Sequence, residues 1–170
     1  MIVGPQMAEL RDAGHLAKTR VFAPPVKIDL SKIATRMGDY HMQEAEEQIV
    51  KPTITGDVIS HFKKYIKDGT AIAFCVSIKH SEAIADAFNQ VGIKAAHLDG
   101  DMNKDERRKV IRRLGTGEIQ VLTSCQIISE GTDVPSVSGC LLLRPSLSLS
   151  LYLQQVGRCL RPSPGKTAAI

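Results

Sequence analysis

Residues 71–124 read AIAFCVSIKHSEAIADAFNQVGIKAAHLDGDMNKDERRKVIRRLGTGEIQVLTS, and the alternation inside this stretch decides the fold. AIAFCV (71–76) is a short apolar run between turn signals, which suits a buried strand. Ile84, Phe88 and Val91 then recur at helical spacing until Gly92 closes the segment. KAAHL (94–98) is a second strand and Asp99-Gly100 a turn. Asn103 with Glu106 three residues on marks a helix start, and that helix runs to Gly115. IQVLTS (119–124) is a third strand. Apolar strands alternating with amphipathic helices predict an α/β domain, a parallel sheet with helices on both faces.

The pattern extends in both directions. Upstream, Val58, Ile59, Phe62 and Ile66 predict a helix that Gly69 stops. Downstream, a short helix fits 126–130 before GTDVP (131–135) breaks it, and CLLLR (140–144) is another strand. Leu149, Tyr152, Leu153, Val156 and Leu160 mark a last helix, with the leucines and Val156 expected inside, and TAAI (167–170) opens one more strand. Residues 1–56 have a different texture: a short helix candidate after Pro5, an extended stretch in which Pro24 and Pro25 exclude a central strand, then polar sequence. They read as a linker or the tail of a preceding domain, with residues 57–170 as the domain proper.

Bulk properties set limits. The 170 residues are 43% hydrophobic and 24% charged, enough apolar material for one core, and the formal charge of +4 permits a polyanionic partner without requiring one. Cys75, Cys125, Cys140 and Cys159 show no CxxC spacing and no His–Cys cluster, so no metal site is expected and a reduced, cytoplasmic setting is. The opening MIVGPQMAEL lacks the pattern of a signal peptide, and no apolar run is long enough to span a membrane.

Parallel sheets place ligands outside the carboxyl ends of their strands, so the residues just after each strand carry the chemistry. Val76-Ser77-Ile78-Lys79 puts a hydroxyl and a cation at a helix start, where free N–H groups attract phosphate and where Ser77 is equally an ordinary N-cap. Gln154, Arg158 and Arg161 fall at i, i+4 and i+7, on one helical face, where two permanently charged guanidiniums can grip a triphosphate held by a facing surface. The basic run Lys104, Arg107, Arg108, Lys109, Arg112 and Arg113 winds around more than one face of its helix and reads first as solvated surface. Gly165-Lys166-Thr167 imitates the end of a P-loop, but Leu160 stands where the first glycine must be, so it is no nucleotide loop.

At these strand ends the chain resembles the second, RecA-like domain of superfamily 2 helicases. AFCVSIKHSE resembles helicase motif IV, VLTSCQIISEGTDVP motif V and LYLQQVGRCLR motif VI, in the expected order across residues 57–170. Leu143-Arg144-Pro145 before the QxxGRxxR helix is most similar to the RadD-like bacterial and phage helicases, with type I restriction motor subunits next. The resemblance implies a RecA-like sheet without a P-loop, and Arg158 and Arg161 as arginine fingers with Gln154 linking the γ-phosphate to the interdomain contact. It implies nucleotide binding by Gly131 and Asp133, and backbone contacts to nucleic acid, DNA more than RNA, by Ser77, Lys79, Gly100, Thr123, Ser124 and Cys125. ATP and Mg²⁺ are the implied cofactors, the metal held mainly by a first RecA-like domain as partner, so the 170 residues alone are expected to be inactive. A type I restriction-type DNA translocase and a stand-alone nucleic-acid-binding module are the alternatives.

Overall fold

The computed structural model describes residues 4–23, 29–98, 100–125, 137–164 and 166–170. Helix α1 (Met7–Asp12) is followed by a 3₁₀ turn at Leu30–Lys32, a hairpin of β1 (Thr35–Arg36) and β2 (Asp39–Tyr40), and helix α2 (Met42–Ile49). Then come α3 (Pro52–His61), β3 (Ala71–Phe74), α4 (Ile78–Gln90), β4 (Ala95–Leu98), α5 (Lys104–Gly115), β5 (Val121–Ser124), β6 (Gly139–Leu142) and α6 (Leu149–Cys159). Strands β3 to β6 form one parallel sheet in the order β4-β5-β3-β6.

Side chains alternate across β3 with the period of an extended strand. Ile72 and Phe74 point to the face covered by α5 and α6, where they meet Ile111, Leu114, Leu122 and Cys159. Ala71, Ala73 and Cys75 point to the opposite face, where Ile84 and Phe88 of α4 and Phe62 close the second core. Phe62 and Phe88 meet edge to face with centroids 5.3 Å apart, a favoured aromatic geometry. Gly139 opens β6 because no larger residue fits: a Cβ there would lie 2.3 Å from Ile66 Cδ1.

Several boundaries shift from the sequence reading. α3 starts at Pro52, whose fixed φ suits the first helical turn, rather than near Asp57. It ends in a wider π-helical turn over Phe62–Ile66, which buries both of those side chains. The polar stretch read as irregular contains the hairpin and α2. These pack Ile33, Ala45 and Ile49 against Val76, two residues past the end of β3. The final residues do extend the sheet: Cys140 N–H donates to the Ile170 carbonyl (2.8 Å), and Ala169 pairs with Thr19 on its other side. The reading of 126–130 as a helix lies outside the described residues.

The face of α6 is a correction. Leu149 is 69% exposed and Leu153 is 42% exposed, while Gln155 and Cys159 are the buried positions. Hydrophobicity alone would turn the leucines inward. Val156 and Leu160 do pack against the core as expected, so the difference is confined to Leu149 and Leu153.

Candidate functional site

β3 and β6 are neighbours, yet the chain leaves them for opposite faces of the sheet, to α4 and to α6. That divergence opens a crevice at the carboxyl ends of the strands, the usual ligand position in such sheets. Helix α4 starts on one lip with Ser77 as N-cap, its Oγ accepting from His80 N–H at 3.0 Å. The same hydroxyl donates to Glu46 of α2 in a short bond. Lys79 stands exposed in the first turn beside it. His80 is buried, and burial holds its pKa below the usual 6.5 although Glu46 pulls the other way.

The other lip is the loop from β6 to α6. Asp39 accepts from Leu147 N–H (2.8 Å) and Ser146 Oγ (3.1 Å), and Arg144 approaches the same carboxylate at 3.8 Å. Burial pushes the Asp39 carboxyl up, but the N–H groups of Leu147 and Tyr40, the Ser146 hydroxyl and the Arg144 charge outweigh it, so its pKa lies below 3.8. A relay continues inward. Ser148 N–H donates to Ser146 Oγ (3.0 Å), and Ser148, the N-cap of α6, accepts from Leu151 N–H (3.3 Å).

The expected backbone contacts are not equally placed. Thr123 is fully buried and its hydroxyl donates to the Ser81 carbonyl at 2.8 Å, tying β5 to α4. Ser124 is also buried, and its carbonyl accepts from Cys75 N–H. Cys125, the next residue, is half-buried at the strand end. Gly100 is exposed after β4, and its carbonyl accepts from Arg107 at 2.9 Å. That contact, with the pairs Arg108–Asp105 and Arg113–Glu118, engages half of the basic run within the domain. Gly131 and Asp133 lie outside the described residues, as does Asp99.

The arginines sit elsewhere. α6 runs back along β6, so Arg158 and Arg161 lie toward the amino ends of the strands, away from Ser77 and Cys125. Gln154 is exposed, Arg158 is half-buried, and Arg161 stands exposed just past the end of the helix. Lys166 clamps this end: its ammonium donates to the carbonyls of Val137 (2.6 Å), Arg161 (3.0 Å) and, in a very short bond, Cys159. The apparent P-loop fragment is thus a cap on the last turn of α6, where a cation meets the unpaired carbonyls. Gly157 faces open space, with nothing within 4 Å of a Cβ placed on it.

Sequence reasoning missed Asp39, Glu46 and Lys166. The Met37-Gly38 turn, with both φ angles positive, is a readable hairpin signal, but nothing local shows where the carboxylate beside it reaches. Among the described residues, no group of three His, Cys, Asp or Glu could hold a metal ion, and no helix is long and apolar enough to cross a membrane.

The model of the helicase conserved C-terminal domain matches residues 55–163. The chain belongs to that family. Among curated relatives, a 51.5 kDa protein of a Lactococcus phage is 38% identical over the whole chain, which covers 37% of it. The candidate ATP-dependent helicase IRC3 of Saccharomyces cerevisiae is 28% identical over 90% of the chain and 23% of its own length. In fold, the helicase C-terminal domain is similar to the helicase MrfA solved bound to DNA, with a TM-score of 0.56, 21% identity and coverage of 68% of this chain and 17% of that one. The domain therefore spans well under half of either curated relative. Its RecA-like sheet and its place in superfamily 2 agree with motifs IV to VI.

Proposed function

We propose that this helicase C-terminal domain is one half of an ATP-driven nucleic-acid motor, meeting ATP through α6 and a polynucleotide backbone through the carboxyl edge of its sheet. The observation that carries the reading is the mounting of α6. Gln154 and Arg158 lie on α6 and Arg161 just past its end, in a segment held at its start by the Ser148 cap and at its end by Lys166. Arginines carried on a backbone held at both ends suit a trans-acting role on departing phosphate, because the segment that presents them needs little reorganisation when charge develops. Gly157 leaves that surface low, which supports close approach of a partner domain carrying the nucleotide. In this reading Mg²⁺ and the β- and γ-phosphates are held by that partner domain, and the metal neutralises charge on the phosphates.

On the other edge, exposed Lys79 and Gly100, Ser77 and half-buried Cys125 form the proposed backbone track. Thr123 and Ser124 are left out because both are buried, with the Thr123 hydroxyl bonded to the Ser81 carbonyl. DNA is the favoured strand, supported by the fold-level likeness to a helicase solved with DNA. A reducing, cytoplasmic setting is part of the proposal, supported by four free cysteines.

The test is nucleic-acid-stimulated ATP hydrolysis by the full natural chain. Arg158→Ala or Arg161→Ala should each lower turnover by about 10³-fold or more, with lysine giving no rescue because it lacks the planar fork. Near-normal turnover in both alanine variants would refute the assignment.

A further inference from the structure

Residues 29–50 form a strap across the crevice between β3 and β6. The strap has its own small core, Ile33, Ala45 and Ile49 with Leu30, Tyr40 and Val76, and Glu44 ties its backbone by accepting from Ala34 N–H at 2.8 Å. Two of its carboxylates reach down, one to each lip. Glu46 bonds Ser77, the N-cap of α4. Asp39 bonds Leu147 and Ser146, and through Ser146 the order passes to Ser148, the N-cap of α6. The caps of the two helices that diverge at the crevice are thus set by one structural unit.

We propose that Asp39 is a positioning residue for α6, holding Gln154, Arg158 and Arg161 in register with the strand-contacting edge at Ser77. The proposal rests on the reading of the arginines given above. Its physical basis is leverage. The 11-residue helix α6 is about 16 Å long at 1.5 Å per residue, so a small change at its first turn is carried to the arginines at its other end. Core packing holds its far half through Val156, Cys159 and Leu160, whereas Leu149 and Leu153 near its start face out. The start of the helix therefore depends on the relay Asp39–Ser146–Ser148–Leu151, while Lys166 and the core hold its other end. Contact between Glu46 and Ser77 makes the same strap sensitive to what occupies the α4 lip.

The experiment uses Asp39→Ala, Asp39→Asn, Ser146→Ala and Arg161→Ala in the full natural chain. Steady-state ATP hydrolysis is measured with nucleic acid present, alongside amide exchange of Leu147 and Leu151 in the 170-residue chain. Asp39→Ala should lower kcat about tenfold or more with KM for ATP within about twofold, the signature of misplaced rather than missing groups. Asp39→Asn should recover part of the loss, since its amide oxygen still accepts from Leu147. Asp39→Ala combined with Arg161→Ala should lose less than the product of the two single losses, because residues acting through one another are not additive. Leu147 and Leu151 should exchange about tenfold faster in both Asp39→Ala and Ser146→Ala. Should Asp39→Ala fail to fold, the Asn and Ser146 variants cut the same relay more gently and carry the test. Unchanged kcat and unchanged exchange, or losses that multiply in the double variant, overturn the proposal. If Arg161→Ala itself keeps full turnover, the arginine reading has failed, and the exchange rates alone then decide whether Asp39 holds α6.

Discussion

Replacing Lys166 by methionine keeps the length of the side chain and removes its ammonium. In the folded domain that ammonium satisfies three carbonyls, of Val137, Cys159 and Arg161, and it joins the end of α6 to the entry of β6. A hydrogen bond to a charged group contributes about 1.5–3 kcal/mol. Val137 and Cys159 are buried, so their carbonyls have little water to fall back on, whereas Arg161 is exposed and its bond is discounted. Against two such bonds stand about 2 kcal/mol of lysine side-chain entropy and a part of the ammonium's hydration. The same desolvation lowers the Lys166 pKa below 10.5. The net loss expected for Lys166→Met is about 1–4 kcal/mol, which for a chain of this size is about 2–15 °C in melting temperature. Urea unfolding followed by circular dichroism measures it, with Lys104→Met on the exposed start of α5 as the control. Lys166→Arg should recover only part, since a planar guanidinium cannot converge on three carbonyls as a tetrahedral ammonium does. A loss for Lys166→Met below about 0.5 kcal/mol, no larger than the control, would refute the clamp.

Two glycines should respond in opposite directions. Gly139→Ala drives a methyl into Ile66 and should cost about 1–3 kcal/mol, while Gly157→Ala meets open space within a helix and should stabilise the 170-residue chain by about 0.5–1 kcal/mol; thermal melts of both decide. Burial raises the Cys75 thiol from 9.0 to about 12, so the unfolded chain ionises first as pH rises. Its contribution is complete below pH 9 and should fall by about 1.4 kcal/mol per unit above it, a slope that Cys75→Ala removes from the high-pH limb of urea midpoints.

The periodicity of 71–124 was legible because each strand and helix there is decided by its own side chains. Ile72 and Phe74 against Ala71 and Ala73 already separate two faces, and Asn103 with Glu106 forms the expected reciprocal cap. Ser77 as an N-cap was readable for the same reason, since the bond to His80 N–H spans three residues. The strap was not legible. Asp39 and Ser146 are separated by 107 residues, and no spacing rule reaches that far.

The amino-acid sequence by itself determined the parallel α/β sheet, its core faces and the motifs that assign the chain to the helicase C-terminal family, because these depend on local propensity, side-chain period and residue type. Tertiary structure alone decided how those motifs are mounted. It turned Leu149 and Leu153 outward, committed Thr123 to a core hydrogen bond, made Lys166 a helix clamp, and placed the arginines away from the carboxyl edge of the sheet. Thr123 finds its partner 42 residues away, and Lys166 reaches Val137 across 29. Such a partner is chosen by the packed fold, where an unpaired buried charge or carbonyl costs more than an exposed leucine.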